Sequence, residues 1–428
     1  MLARAMVRRL PVLRYRDFRL LLADRLLAPA ALAFSIVGVS FAVLDTTRST
    51  ADPSYVLAAQ IAPSLVFTMI GGVIADRIPP QRVIIGGNAM IAIGEGTFGI
   101  LLLTGHPRLW QMIGLEIITG TGIAVFYPAS QALLPRLVPA ELLQQASAIS
   151  RLGMNGGQMA GAFIAGLCVA AFGPGWALTV CGAGILVSAP MLLSMRAGAA
   201  ATDADSGSPD MLRELREGWA EFRSRTWLWA IVAQYSVVLM AWYGAFQTLG
   251  PVVAKAHLGG PAAWGAITAA ESVGFIAGGL LSLRFTPRRP MLFVVMIGAA
   301  IGVSPLALAM LWPLPLICCA AFGIGTTVEI MMVQWTVTLT RNIPPDKLAR
   351  VFSYDLMGSV MASPVGALVA GPLAAAIGVP ATQYGAVVLI LAASALALIP
   401  RDIRQMRAGK AGQQAEPGLR EQAELAAL

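Results

Sequence analysis

"GGVIADRIPPQR", residues 71–82, breaks two long apolar runs with one acid, two prolines and two arginines, and "GGLLSLRFTPRR", residues 278–289, repeats the break 207 residues later. At that offset Gly71, Gly72, Arg77, Pro80 and Arg82 align with Gly278, Gly279, Arg284, Pro287 and Arg289. A second echo, at offset 205, aligns Pro139, Glu141 and Leu143 with Pro344, Asp346 and Leu348. Two matched breaks imply two parallel repeats of one helical unit.

The runs around these breaks settle the broad class. Of the 428 residues, 57% are hydrophobic and 12% charged, and apolar stretches of about 20 residues recur, each long enough to cross a bilayer. Too little charge is present to cover soluble domains, which argues against a soluble enzyme. Only helices or closed barrels satisfy every backbone group in lipid, and runs without strand alternation mean helices. The expected fold is therefore all-α and integral to the membrane, with twelve transmembrane helices in two pseudo-symmetric six-helix bundles. The first six spans are 18–44, 53–75, 82–104, 109–133, 141–171 and 175–195; the second six are 226–251, 262–283, 290–311, 314–340, 347–377 and 380–400. Asp24 and Arg25 make the first span too polar for a cleavable signal, so it reads as a retained helix.

Most Lys and Arg fall at one side of these spans, including Arg4 to Arg19, Arg77, Arg82, Arg284, Arg341, Arg350 and Arg401. The positive-inside rule then puts both termini in the cytoplasm and the chain in the inner (plasma) membrane. The formal charge of +8 reads as topology determinants beside anionic lipid, not nucleic-acid binding. Cys168, Cys181, Cys318 and Cys319 all lie within spans, and His106 and His257 lie at outer loops. No disulfide framework, metal site, cofactor or catalytic set is indicated.

Residues 1–196 form the first bundle and 226–407 the second, joined by a cytoplasmic linker at 197–225. The linker begins small and polar and continues in "MLRELREGWAEFRSR", whose Leu212, Leu215, Trp219 and Phe222 share one face of an interfacial helix. Residues 408–428 read as a polar, disordered cytoplasmic tail.

With these features the chain resembles the major facilitator superfamily over essentially its whole length. Gly72, Asp76, Arg77 and Arg82 match the family's loop signature between helices 2 and 3, while Pro79 and Gln81 depart from it. A glycine ladder at Gly157, Gly161 and Gly166 resembles the drug-antiporter signature without its proline. "YRDFRLLLADRLLAPAALAF" and "YPASQALLPRLVPAELLQQASAI" resemble the branch of enterobactin exporters and macrolide efflux proteins. The resemblance implies that Asp76 faces the start of helix 11 near Lys347 and Arg350. Gly72, Asp76, Arg77, Arg82, Arg284 and Arg350 would then form a cytoplasmic gate. The second copy carries Leu283 where the acid would stand.

Ionisable groups inside a membrane are expensive and so mark function. Glu329, Glu271, Glu116 and Asp355 are candidates for proton coupling, with Glu329 preferred because it sits near the middle of a span with no basic residue on its helix before Arg341. Asp24, Arg25, Tyr127, Arg151, Asn155, Gln158, Tyr235, Trp242 and Phe246 are candidates to line a substrate cavity. Glu95, between Gly94 and Gly96 on a helix that the family resemblance implies is peripheral, reads as structural. Internal pairing, for example of Arg25 or Arg151 with Glu116, is the competing account of the charges.

The resulting expectation is a monomeric secondary transporter that works by alternating access, exporting an amphipathic drug, antibiotic or siderophore in exchange for protons. Its partners are that small molecule, protons and the lipid bilayer. A proton-coupled nutrient importer and a non-transporting scaffold or sensor on the same fold stay open as alternatives.

Overall fold

The computed structural model describes residues 11–63, 80–105, 107–134, 137–195, 219–282, 284–285, 287–343 and 345–406. Among them, eleven helices are long and apolar enough to cross a membrane. In chain order the helices are α1 (Arg16–Thr47), α2 (52–63 among the described residues), α3 (Pro80–Thr104), α4 (Leu109–Leu133), α5 (Leu143–Phe172) and α6 (Pro174–Leu193). The second half holds α7 (Thr226–Leu258), α8 (Pro261–Ser282), α9 (Pro290–Ala309), α10 (Leu314–Asn342), α11 (Pro345–Val360 and Ser363–Ile377) and α12 (Val379–Ala397). A short helix α13 (Arg401–Gln405) follows. The rest of the second predicted span, the linker from 197 to 218 and the tail from 408 lie outside the described residues.

Local chemistry explains where helices bend and stop. Pro305 has no N–H for the carbonyl of Ile301, so α9 turns there, and the Ser304 hydroxyl donates to that carbonyl at 3.0 Å instead. The break in α11 likewise precedes Pro364. Helix α7 runs to Leu258, beyond the predicted 251, because it takes up π-helical turns at Tyr243–Thr248 and Ala254–Leu258. The internal repeat is visible in a cap: α5 ends on Gly173 at φ +87° and α11 on Gly378 at φ +92°, 205 residues later, and a proline opens the next helix each time.

Within the first half α1 packs along α5 and α6, and α3 along α4 and α6; within the second, α8 packs along α10 and α7 along α11 and α12. Among the described residues the two halves meet mainly where α5 crosses α8. The ends of the helices that lie with the described chain termini form one face, termed the terminal face; the other is the opposite face. Near the terminal face each half keeps its own apolar cluster, one around Phe18, Ile84 and Leu192 and the other around Trp227, Met291 and Leu339. Toward the opposite face a single cluster mixes both halves: Phe34, Val37 and Phe41 of α1, Val169 of α5, Phe246 and Val253 of α7, and Trp264 and Ile267 of α8. Among the described residues the halves therefore share one apolar cluster toward the opposite face and keep separate clusters toward the terminal face.

Of the predicted interfacial helix, residues 219–224 are described and helical. Trp219 and Phe222 stack at 5.7 Å, and both pack on Tyr354 of α11. Between them Glu221 accepts from Arg225 at 2.6 Å and from Lys347 of α11 at 3.0 Å. The hydrogen bond from Arg225, then that from Lys347, hold the Glu221 carboxyl below its ordinary range. A lowered folded value means that the anchor is present above the ordinary carboxylate range and is lost as pH falls through the lowered value. Glu221→Gln is expected to cost about 1 kcal/mol at neutral pH. Protease cleavage within 197–218, compared at pH 7 and at a pH below the lowered value, checks this: the variant should be cut faster than the parent at pH 7 and nearly equally at the low pH.

Candidate functional site

Where α5 and α8 part toward the terminal face, a cleft of about 330 Å³ opens between the halves. Arg151, Leu152 and Asn155 of α5 form one wall, Phe275, Ile276 and Gly279 of α8 another, and Glu329, Met332 and Thr336 of α10 the third. The lining is apolar with a few polar groups, the usual make-up of a small-molecule site. Across it the Arg151 guanidinium donates to Glu329 Oε1 at 2.5 Å, joining residues 178 apart in sequence and on different halves. The sequence offered Glu329 no basic neighbour on its own helix, and the partner comes from the other half. The Arg151 side chain is 65% exposed and that of Glu329 14%, so one end of the pair stands in the cleft and the other is held by the α10 wall.

That wall is shaped by the second copy of the repeated motif. A side-chain carbon on Gly278 would stand 2.9 Å from Glu329 Cβ, so the missing side chain lets α8 lie against α10 and fixes where the carboxylate projects. Gly166 and Gly265 do the same at the α5–α8 crossing, where each would drive a Cβ to within 2.9 Å of the other's backbone.

At the opposite face a second pair joins the halves: Lys255 Nζ of α7 lies 2.5 Å from Asp45 Oδ1 of α1. Beneath it Trp242 stacks on Phe246 at 5.5 Å, and Phe246 packs on Trp264 at 5.2 Å. The aromatic residues of α7 that the sequence marks as a possible cavity wall, Trp242 and Phe246, lie in or against this seal, with Phe246 fully buried. Tyr235 lies between the two inner apolar clusters of the second half.

The other intramembrane charges sit inside their own halves. Arg25 is buried and donates to the Ser130 carbonyl at 2.7 Å and to the Met154 sulfur at 3.1 Å. Asp24 is buried beside Ser188 and Asn88. Asp355 accepts from Trp335 Nε1 at 2.8 Å, a bond within the second half. Glu271 is buried on α8, near Tyr243. Glu116 meets neither Arg25 nor Arg151; it accepts from Gln60 Nε2 at 2.7 Å. Glu95 is fully buried and accepts from Ser35 Oγ at 2.5 Å. The sequence set Glu95 aside, yet Asn88 and Glu95 stand two turns apart on the inner face of α3, and that spacing is the signal that finds it.

The profile of the Major Facilitator Superfamily matches residues 26–354. The chain belongs to this superfamily. Among its relatives this facilitator is 24% identical over 365 residues to macrolide efflux protein A of Streptococcus pyogenes, covering 83% of the chain and 88% of the relative. It is 26% identical over 361 residues to the enterobactin exporter of Escherichia coli O1:K1, covering 84% and 85%. Among solved structures, a nucleoside transporter superposes with a TM-score of 0.70 at 13% identity, over 91% of this chain and 100% of that one. A bacterial homologue of the human lysosomal transporter Spinster superposes with a TM-score of 0.67 at 17% identity, over 92% and 99%. The facilitator is thus a multi-pass membrane transporter of small molecules, and its family is one of transporters rather than enzymes.

Of the gate residues expected from the family resemblance, Gly72, Asp76 and Arg77 lie outside the described residues, as does the side chain of Arg350. Arg82 and Arg284 are exposed at the terminal face. Asn155 lines the facilitator's cleft and Gln158 lies one turn further along α5, half-buried. Tyr127 falls on α4, with its side chain outside the described residues.

Proposed function

We propose that this facilitator exports an amphipathic small molecule in exchange for protons, by alternating access with its terminal face in the cytoplasm. The observation that carries the reading is the Arg151–Glu329 pair: a bond between the two halves, set in a cleft toward one face of a molecule whose halves share an apolar cluster toward the other. A partly exposed ion pair is worth about 1 kcal/mol or less, so it can form and break in each cycle. A proton on Glu329 removes its negative charge and frees Arg151, and an anionic or polar group of the substrate can take Arg151 in the same way. Phe275, Ile276 and Met332 offer apolar contact beside Asn155 and Thr336, which suits a molecule with both characters. The similarity to a macrolide efflux protein and an enterobactin exporter supports the outward direction.

Everted membrane vesicles with an acidic interior test the reading, with a macrolide and enterobactin as probes. Export predicts accumulation of at least one of them that collapses when the pH gradient is dissipated. An importer would move its substrate outward under the same gradient, and a scaffold or sensor would move none. In the same preparation a lone cysteine from Ser224→Cys, in a background without the native cysteines, should react with an impermeant thiol reagent. It should stay unreactive in intact cells; labelling there would reverse the orientation.

A further inference from the structure

Inside the first half, away from the cleft, two acids share one buried pocket. Glu95 comes from α3 and Glu116 from α4, at 0% and 1% exposure, and they are close enough to repel each other. One amide ties them together: Gln60 Nε2 of α2 donates to Glu116 Oε2 at 2.7 Å and to Ser35 Oγ of α1 at 3.3 Å, while Ser35 Oγ donates to Glu95 Oε1 at 2.5 Å. Each carboxyl therefore has one oxygen bonded and one left over. Glu95 Oε2, Glu116 Oε1 and the Thr119 hydroxyl, one turn along α4, are all buried with no hydrogen-bond partner among the described residues.

Glycines bring these groups together. Gly94 lies against Thr119, Gly120 against the backbone of Gln60, and Gly182 of α6 against Gly96, with a Cβ there only 2.8 Å from the Gly96 nitrogen. Gly94 and Gly182 are thus close-packing positions that bring α4 and α6 against α3 beside Glu95. Helix α6 contributes the thiol of Cys181, α1 and α2 contribute Ser35 and Gln60, and α4 contributes Thr119. Among the described residues no Lys, Arg or His is bonded to either carboxyl, and Arg25 stands ten residues before Ser35 on α1, roughly 15 Å along the axis.

Two bare carboxylates joined through Gln60 and Ser35 at membrane depth are penalised by desolvation and again by repulsion. One proton relieves both: it leaves a single negative charge and supplies the donor that the leftover oxygens lack. We propose that Glu95 and Glu116, bridged by Ser35 and Gln60, form one proton-binding site in the first half that holds a single proton between the two acids. The half-buried Gln60 lies at its edge, and Ser54 at the start of the same helix, with Ala51 just before it, packs against Gly371 of α11 in the other half. The site is thereby connected to the seal at the opposite face. Its use in transport rests on the reading given above; its occupancy by a proton does not.

Infrared spectroscopy of the purified full-length protein in lipid vesicles tests the proposal without any substrate. The carbonyl stretch of protonated carboxylic acids should be present at neutral pH, and part of it should be absent from the Glu95→Gln/Glu116→Gln double variant. Each single Gln variant should shift that part rather than remove it, because a lone buried carboxyl keeps its proton but loses its partner. Ser35→Ala deletes only the hydroxyl that donates to Glu95 and should move the pH at which the signal disappears. Spectra of the double variant that superimpose on the parent overturn the proposal, as does the absence of a shift in both single variants if the double variant fails to fold. Removal of the signal by sodium at constant pH also overturns it, in favour of a metal-cation site. Loss of gradient-driven accumulation in the vesicle experiment would instead bear on the export reading alone.

Discussion

Glu329→Gln is expected to abolish accumulation driven by a pH gradient while leaving substrate exchange at equal pH intact. The amide has the size of a protonated carboxyl and cannot lose a proton, so the change fixes the group in its neutral form. The bond from Arg151 at 2.5 Å then loses its ionic character, and the link between the halves no longer depends on pH. Accumulation should fall by at least about tenfold, equivalent to about 1.4 kcal/mol, more than the pair's own worth of about 1 kcal/mol or less, because the lost quantity is the coupling and not the contact. The exchanged pair Arg151→Glu/Glu329→Arg separates the two contributions: it should recover expression and exchange better than Arg151→Glu alone, in which like charges meet. Near-parental accumulation by Glu329→Gln would move the coupling site elsewhere, first to the buried acids of the first half.

Gly265→Val is expected to open the seal at the opposite face. The new Cβ would lie 2.7 Å from both the Ala162 carbonyl and the Gly166 Cα, and these are backbone atoms that no change of rotamer can clear. Overpacking of this kind costs about 2 kcal/mol, which shifts the balance between closed and open forms by roughly 30-fold. A reporter lies near by. Cysteines replacing Asp45 and Lys255, whose side chains meet in the parent, should be joined readily by a bifunctional thiol reagent that spans the length of a lysine side chain when Gly265 is present, and poorly in Gly265→Val. Transport should drop in parallel. Equal cross-linking in both would show that the crossing at Gly166 and Gly265 does not set the closure.

Much of the fold could be read without coordinates because lipid leaves the backbone few choices. Uninterrupted apolar runs of twenty residues must be helices, and a repeated break at Gly71 and Gly278 must divide equivalent units. Helix ends were less legible. The π-helical turns that carry α7 to Leu258 and the break at Ile301 follow from packing and from a proline whose freed carbonyl a serine takes up, and hydropathy is blind to both. The site was read in outline only. Arg151, Asn155 and Glu329 were marked individually by the cost of polarity in a membrane, but their meeting depends on how two helices 178 residues apart are rotated toward each other. Glu95 reads as structural because the family resemblance puts its helix at the periphery; in three dimensions the inner face of α3 is packed against α4 and α6 through Gly94 and Gly182, and the acid is buried there.

The Asp45–Lys255 pair has an environmental consequence. Its two side chains are 49% and 41% exposed, so dissolved ions reach them, and at an ionic strength of 0.15 M charges are screened over about 8 Å. Salinity on that side of the membrane alone therefore tunes how firmly the seal holds, weakening it in brine and tightening it in fresh water. The carrier would cycle at a pace set partly by the medium into which it opens.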